Sequence, residues 1–125
     1  MLAVCTSLAA CTVAPPRELD ASADNTRIVL EPHQELVVRL ATRPEAGYRW
    51  SVERGAPAVL SPADEPNYEP VFASAPLVGS GGWTTFRYRA SALGTDKLEL
   101  DYRRPSDTGA PPAKTYSLEI VVQKP

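Results

Sequence analysis

The chain has 125 residues, enough for one domain with its own core and too few for a second enzyme-sized one. Charged residues make up 22%, and 13 basic side chains stand against 15 acidic ones; a net charge of -2 without a basic stripe excludes the footprint of a nucleic-acid binder. Thirteen prolines argue against a helical domain, because an internal proline removes a hydrogen bond and clashes with the preceding turn, and they point to short strands and turns.

The first segment is the apolar run from Met1 to Cys11, which holds both cysteines, Cys5 and Cys11. No thiol follows it, so the folded part has no disulfide framework, thiolate zinc site or cysteine nucleophile. Leu8-Ala9-Ala10-Cys11 resembles the lipobox at the end of a bacterial lipoprotein signal, an aliphatic residue and two small ones before the cysteine. The resemblance implies removal of residues 1–10, lipidation of Cys11, and a lipid-anchored protein of the bacterial cell envelope facing the periplasm or the exterior. No Lys or Arg precedes the short run, which fits a start upstream of Met1; a buried strand that happens to contain cysteines is the other reading. No later stretch is long and apolar enough to span a bilayer. Residues 11–25, with Pro15-Pro16 and no apolar period, read as a tether, and the domain is expected over 26–125.

Within the domain, strands are predicted at 27–30, 36–40, 48–53, 67–72, 85–89, 98–102 and 116–122. Leu36, Val38 and Leu40 alternate with Val37 and Arg39, and Leu98, Leu100 and Tyr102 with Glu99 and Asp101. Tyr116, Leu118, Ile120 and Val122 repeat the pattern, which makes the last two strands neighbours in the core. The expected fold is all-β: an immunoglobulin-like sandwich of two antiparallel sheets and about seven strands. His33, the only histidine and so the only imidazole for a catalytic triad, lies between Pro32 and Gln34 in an expected exposed turn. Asp64 and Glu65 are adjacent acids on a proline-rich loop without a visible base or metal partner, and read as solvated turn residues. Neither a catalytic residue, a metal nor a cofactor is expected.

Three connections are richer than strand turns require: Arg43-Pro44-Glu45-Ala46-Gly47-Tyr48-Arg49-Trp50, Gly79-Ser80-Gly81-Gly82 before Trp83, and Tyr102-Arg103-Arg104-Pro105. Together they resemble the chagasin family of cysteine-peptidase inhibitors. In that family the first loop reads Asn-Pro-Thr-Thr-Gly-Tyr with Trp two residues on, and Pro44, Gly47, Tyr48 and Trp50 keep the spacing. The second loop is Gly-x-Gly-Gly, present in full, and the third is Arg-Pro-Trp after a Tyr-ended strand, matched by Tyr102, Arg104 and Pro105. The resemblance covers about 27–122 and implies a non-enzymatic inhibitor of papain-like cysteine proteases whose three loops fill the cleft reversibly; balanced charge and modest size favour a monomer. The implied protease-binding residues are Pro44, Glu45, Ala46, Gly47, Tyr48, Gly79, Ser80, Gly81, Gly82, Trp83, Arg104 and Pro105.

Three departures accompany the match. Arg43 replaces the family's asparagine, Glu45 and Ala46 replace its threonines, and Ser106 stands where an aromatic residue is typical. A missing aromatic anchor is worth roughly 2 kcal/mol at a hot spot, so inhibition is expected to be measurable but weak, and Trp83 to stand in for the absent ring. Trp50 is expected in the core, Tyr48 at its edge or under the loop, and Arg103 and Arg104 either on a solvated face or at the contact. The competing reading is an envelope-anchored binding or structural module that kept the fold and lost the inhibitory loops.

Overall fold

The computed structural model describes residues 13–43, 46–70, 81–106 and 109–125. Strands alternate a buried and an exposed face and stack in two layers. One layer holds β1 (Arg17–Leu19), β3 (Glu35–Thr42), β7 (Gly82–Ala90), β5 (Leu60–Pro62) and β6 (Asn67–Pro70); β5 and β6 follow one another along the same edge of β7. The other runs β2 (Thr26–Leu30), β9 (Lys114–Val122), β8 (Gly94–Arg103), β4 (Arg49–Gly55). Leu36, Val38, Leu40, Phe86 and Tyr88 of the first layer and Leu98, Leu100, Tyr116, Leu118, Ile120 and Val122 of the second form the core, all nearly inaccessible to water.

The all-β sandwich and the β8–β9 pairing are as expected, and seven of the nine strands among the described residues match predicted ones to within a few residues. Two expectations are corrected. The sheets are mixed rather than antiparallel: β1 runs parallel to β3 and β2 parallel to β9. Alternation fixes which side chains face inward, not the direction in which a strand is added. The segment read as a tether is, from Arg17 on, part of the fold. Arg17, Glu18 and Leu19 pair with Leu36, Val37 and Val38, and Leu19 packs on the core. Asp20 then caps a 3-10 turn at Ala21–Ala23, its carboxylate accepting from Ser22 N. These three residues close the open edge of β3 with backbone hydrogen bonds, a contribution without hydrophobic period.

The predicted strand at 67–72 is ordered as Asn67–Pro70; its last two positions lie outside the described residues. His33 occupies an exposed turn with φ 69° and donates its N–H to Ala90 O, as a turn residue does. Asp64 and Glu65 are exposed, and the Asp64 carboxylate accepts the next residue's N–H at 2.8 Å.

At the end of the sandwich opposite the three loops, Asp96 organises the β4–β5 connection. Its buried carboxylate accepts from Arg54 Nε and Ala58 N, each at 2.9 Å, and from Lys97 N at 2.8 Å. Led by the Ala58 N–H, these donors hold it well below the usual carboxylate range, at about 2. Tyr116 Oη donates to Asp20 O at 2.9 Å, tying the amino-terminal segment to β9, and burial pushes that phenol well above its ordinary value.

Candidate functional site

β3 ends at Thr42, β4 starts at Arg49, β7 starts at Gly82, β8 ends at Arg103 and β9 starts at Lys114. The antiparallel pairings of β3 with β7, β4 with β8, and β8 with β9 bring these termini to one end of the sandwich. The described parts of the three connections therefore meet around one hollow of about 480 Å³. Ala41, Arg43, Ala46 and Tyr48 line it from the first, Gly81 and Trp83 from the second, and Tyr102, Ala113 and Lys114 from the third.

An aromatic column braces this end from within. Trp50 reaches across from the second sheet to donate Nε1–H to Ala41 O of the first at 3.0 Å. Tyr102 lies 4.9 Å from the Trp50 ring and 5.2 Å from Tyr48, against which it stacks; the Arg104 guanidinium lies over the Tyr48 ring, 4.6 Å from its centroid. Each stacked pair contributes on the order of 1 kcal/mol beyond area burial. The first connection is clamped twice: Arg43 N donates to Tyr102 Oη at 2.9 Å, and Arg104 Nε donates to Ala46 O at 3.1 Å. Gly47, at φ 84°, supplies the left-handed turn that lets the backbone double back, and its open α-carbon faces the Arg104 side chain.

The expected roles divide on this geometry. Tyr48 supports the loop, and Trp50 sits half-buried at the mouth of the sandwich, packed on the edge of the core. Arg104 is neither free nor purely solvated, since it stacks and hydrogen-bonds within the chain. Ala46, Gly47 and Pro105 are exposed. Trp83 lies on the outer face as its phase predicts, opposite Ala41, half-buried with Arg39 4.7 Å above its ring.

Gly81 and Gly82, two of the implied protease-binding residues, are both buried. A Cβ on Gly82 would stand 2.7 Å from Tyr68 Oη and 2.8 Å from Pro70 Cα, and closer still to Glu69 O, so the glycine is required by the approach of β6. Pro44, Glu45, Gly79, Ser80 and Cys11 lie outside the described residues. Tyr102 and Lys114 were not among the expected site residues. Tyr102 carries the phase of the core leucines and Lys114 opens a strand, so neither stands out locally.

The sequence matches the family model described as the Chagasin family peptidase inhibitor I42 over residues 29–120. No curated protein matches it. Among solved structures, the fold is similar to the cysteine protease inhibitor EhICP2 from Entamoeba histolytica, at TM-score 0.72 and 18% identity over 87% of this chain and 96% of that one. Amebosin in solution is similar at TM-score 0.68 and 30% identity, over 88% of this chain and all (100%) of the other. Leishmania mexicana ICP follows at 0.57 and 22%, over 88% and 90%. The first and third of these likenesses bear on the fold alone. The family model covers well over half of the sequence, and with it the chain belongs to the chagasin family, whose members inhibit peptidases and are not enzymes.

Proposed function

We propose that the chain reversibly inhibits papain-like cysteine proteases, with the three connections at one end of the sandwich occluding the active-site cleft. The observation that carries this reading is the double clamp on the first connection by Tyr102 and Arg104. A loop fixed before docking loses little conformational entropy on binding. No step of covalent chemistry is involved, and substrate is excluded by occupancy. Arg104 uses Nε within the chain, and its terminal amino groups supply further donors to carbonyls or a carboxylate of the protease. A structure of similar fold, PbICP-C in complex with falcipain-2 (16% identity, TM-score 0.55), is in keeping with a partner of that class.

Competition assays of the purified chain against several papain-like proteases test the reading. Weak, saturable inhibition is expected, and Ala46→Thr, which restores a hydroxyl at the loop tip, should strengthen it. Trp83→Ala should weaken inhibition by about tenfold or more, as loss of a hot-spot aromatic does, with little change in Tm. Absence of inhibition by both wild type and Ala46→Thr would instead favour a binding or structural module on the same fold.

The amino-terminal segment is proposed as a lipoprotein signal, with Cys11 the acylated residue anchoring a monomeric domain to the cell envelope. Its support is the Leu8-Ala9-Ala10-Cys11 pattern. Metabolic labelling with a fatty acid should mark the wild-type chain and not Cys11→Ser; equal labelling would contradict it.

A further inference from the structure

The loop-bearing end carries a charge opposite to that of the rest of the molecule. Segments 43–50, 71–83 and 101–115 hold five basic side chains against three acidic ones; the remainder holds eight against twelve, so a chain of net -2 divides into +2 and -4. The five are Arg43, Arg49, Arg103, Arg104 and Lys114. Arg103 is neutralised, donating to Asp101 Oδ2 at 2.7 Å with Glu53 3.9 Å away. The other four are exposed and meet no carboxylate within 4.0 Å among the described residues. Register gives Arg49 no acidic partner across the strand pair, because the residue directly opposite it on β8 is Arg103, whose own charge is met by Asp101. Glu69 faces Trp83 from β6, where its carboxylate accepts from Asn67 Nδ2 at 3.4 Å. Arg43 and Lys114 also line the hollow itself, beside Tyr48, Trp83 and Tyr102.

We propose that this end is an electrostatic docking surface, and that its partner is a papain-like protease with an acidic margin to its cleft. The inference rests on the inhibitor reading above and names the target class within it. Unpaired exposed cations set the rate at which partners find each other, while the clamped loop and its aromatic rings set how long they stay together. Steering of this kind raises association rates by roughly 10- to 1000-fold and fades as salt shortens the Debye length from about 30 Å at 0.01 M to about 8 Å at 0.15 M. The negative remainder of the molecule orients the charged end toward such a margin and repels the other faces.

Progress curves for inhibition by the full chain, recorded from 20 to about 500 mM NaCl, give association and dissociation rates. The probes are two papain-like proteases, one with carboxylates and one with lysines or arginines along its cleft. For the acidic enzyme the association rate should fall about tenfold or more across this range, with dissociation changing less than about twofold. The double variant Arg43→Gln, Lys114→Gln should associate roughly five- to tenfold more slowly at 20 mM salt and match wild type at high salt. Lys97→Gln, at the far end of β8, should behave as wild type. Association with the acidic enzyme that is independent of salt, or no faster than with the basic one, overturns the inference and leaves inhibition standing. No inhibition of either enzyme at any salt overturns the inhibitor reading itself. Salt-sensitive binding to a DNA duplex or to anionic vesicles, without association with either protease, assigns the basic end to another partner and overturns both. If the double variant does not fold, the wild-type salt series decides.

Discussion

Gly82 shows how a motif read in sequence acquires a different cause in three dimensions. The Gly-Ser-Gly-Gly run is legible as a signature, but the need for glycine at 82 arises from β6, whose backbone passes where a Cβ would stand. That neighbour lies a dozen residues earlier in the chain, and no local pattern encodes its approach. Gly82→Ala should cost roughly 1–3 kcal/mol, as overpacking a tight contact does, seen as a lower urea midpoint at unchanged slope; an unchanged midpoint would mean that β6 moves aside freely. Asp96 is the second residue whose role appears only on folding. Its folded carboxyl titrates near 2, below the ordinary value near 3.9 of the unfolded chain, so the native state binds fewer protons between these values. The stability it contributes is present above about pH 4 and is lost as pH falls toward 2. Asp96→Asn should flatten that acid limb of the urea midpoint measured between pH 2 and 6, and an identical limb in the variant would remove Asp96 as its source.

Among the elements, those with a strict two-residue period were legible: β3, β7, β8 and β9 follow the alternation of leucines, valines and aromatics that builds the core. β1 was not, because Arg17-Glu18-Leu19 offers one apolar side chain and owes its place to hydrogen bonds with β3 rather than to a buried face. Strand direction in the β1–β3 and β2–β9 pairs was equally hidden, since alternation is the same read either way. The attachment of the amino-terminal segment can be tested at its other contact, the hydrogen bond from Tyr116 Oη to Asp20 O. Tyr116→Phe keeps the buried ring and removes the hydroxyl, so it should cost about 1 kcal/mol and speed amide exchange in Arg17–Leu19 selectively. Exchange unchanged in β1 would show that its pairing with β3 suffices to hold it.

For the molecule as a whole, the gathering of three distant connections follows from sheet order, which places the relevant ends of β3, β4, β7, β8 and β9 side by side. The loop motifs and their order were readable, and so was the family they resemble. The brace behind them was not, because Trp50 and Tyr102 come from neighbouring strands of one sheet, Tyr48 and Arg104 from the two connections beside them, and they form a column only once β4 pairs with β8. A plug held stiff in this way should shield the catalytic thiol of a bound protease without reacting with it. Iodoacetamide alkylation of a papain-like protease, timed at increasing concentrations of the chain, measures that shielding. The rate should fall toward zero in step with inhibition, and intact inhibitor and unmodified enzyme should be recovered on dilution; saturating inhibition with an undiminished alkylation rate would contradict occlusion of the cleft.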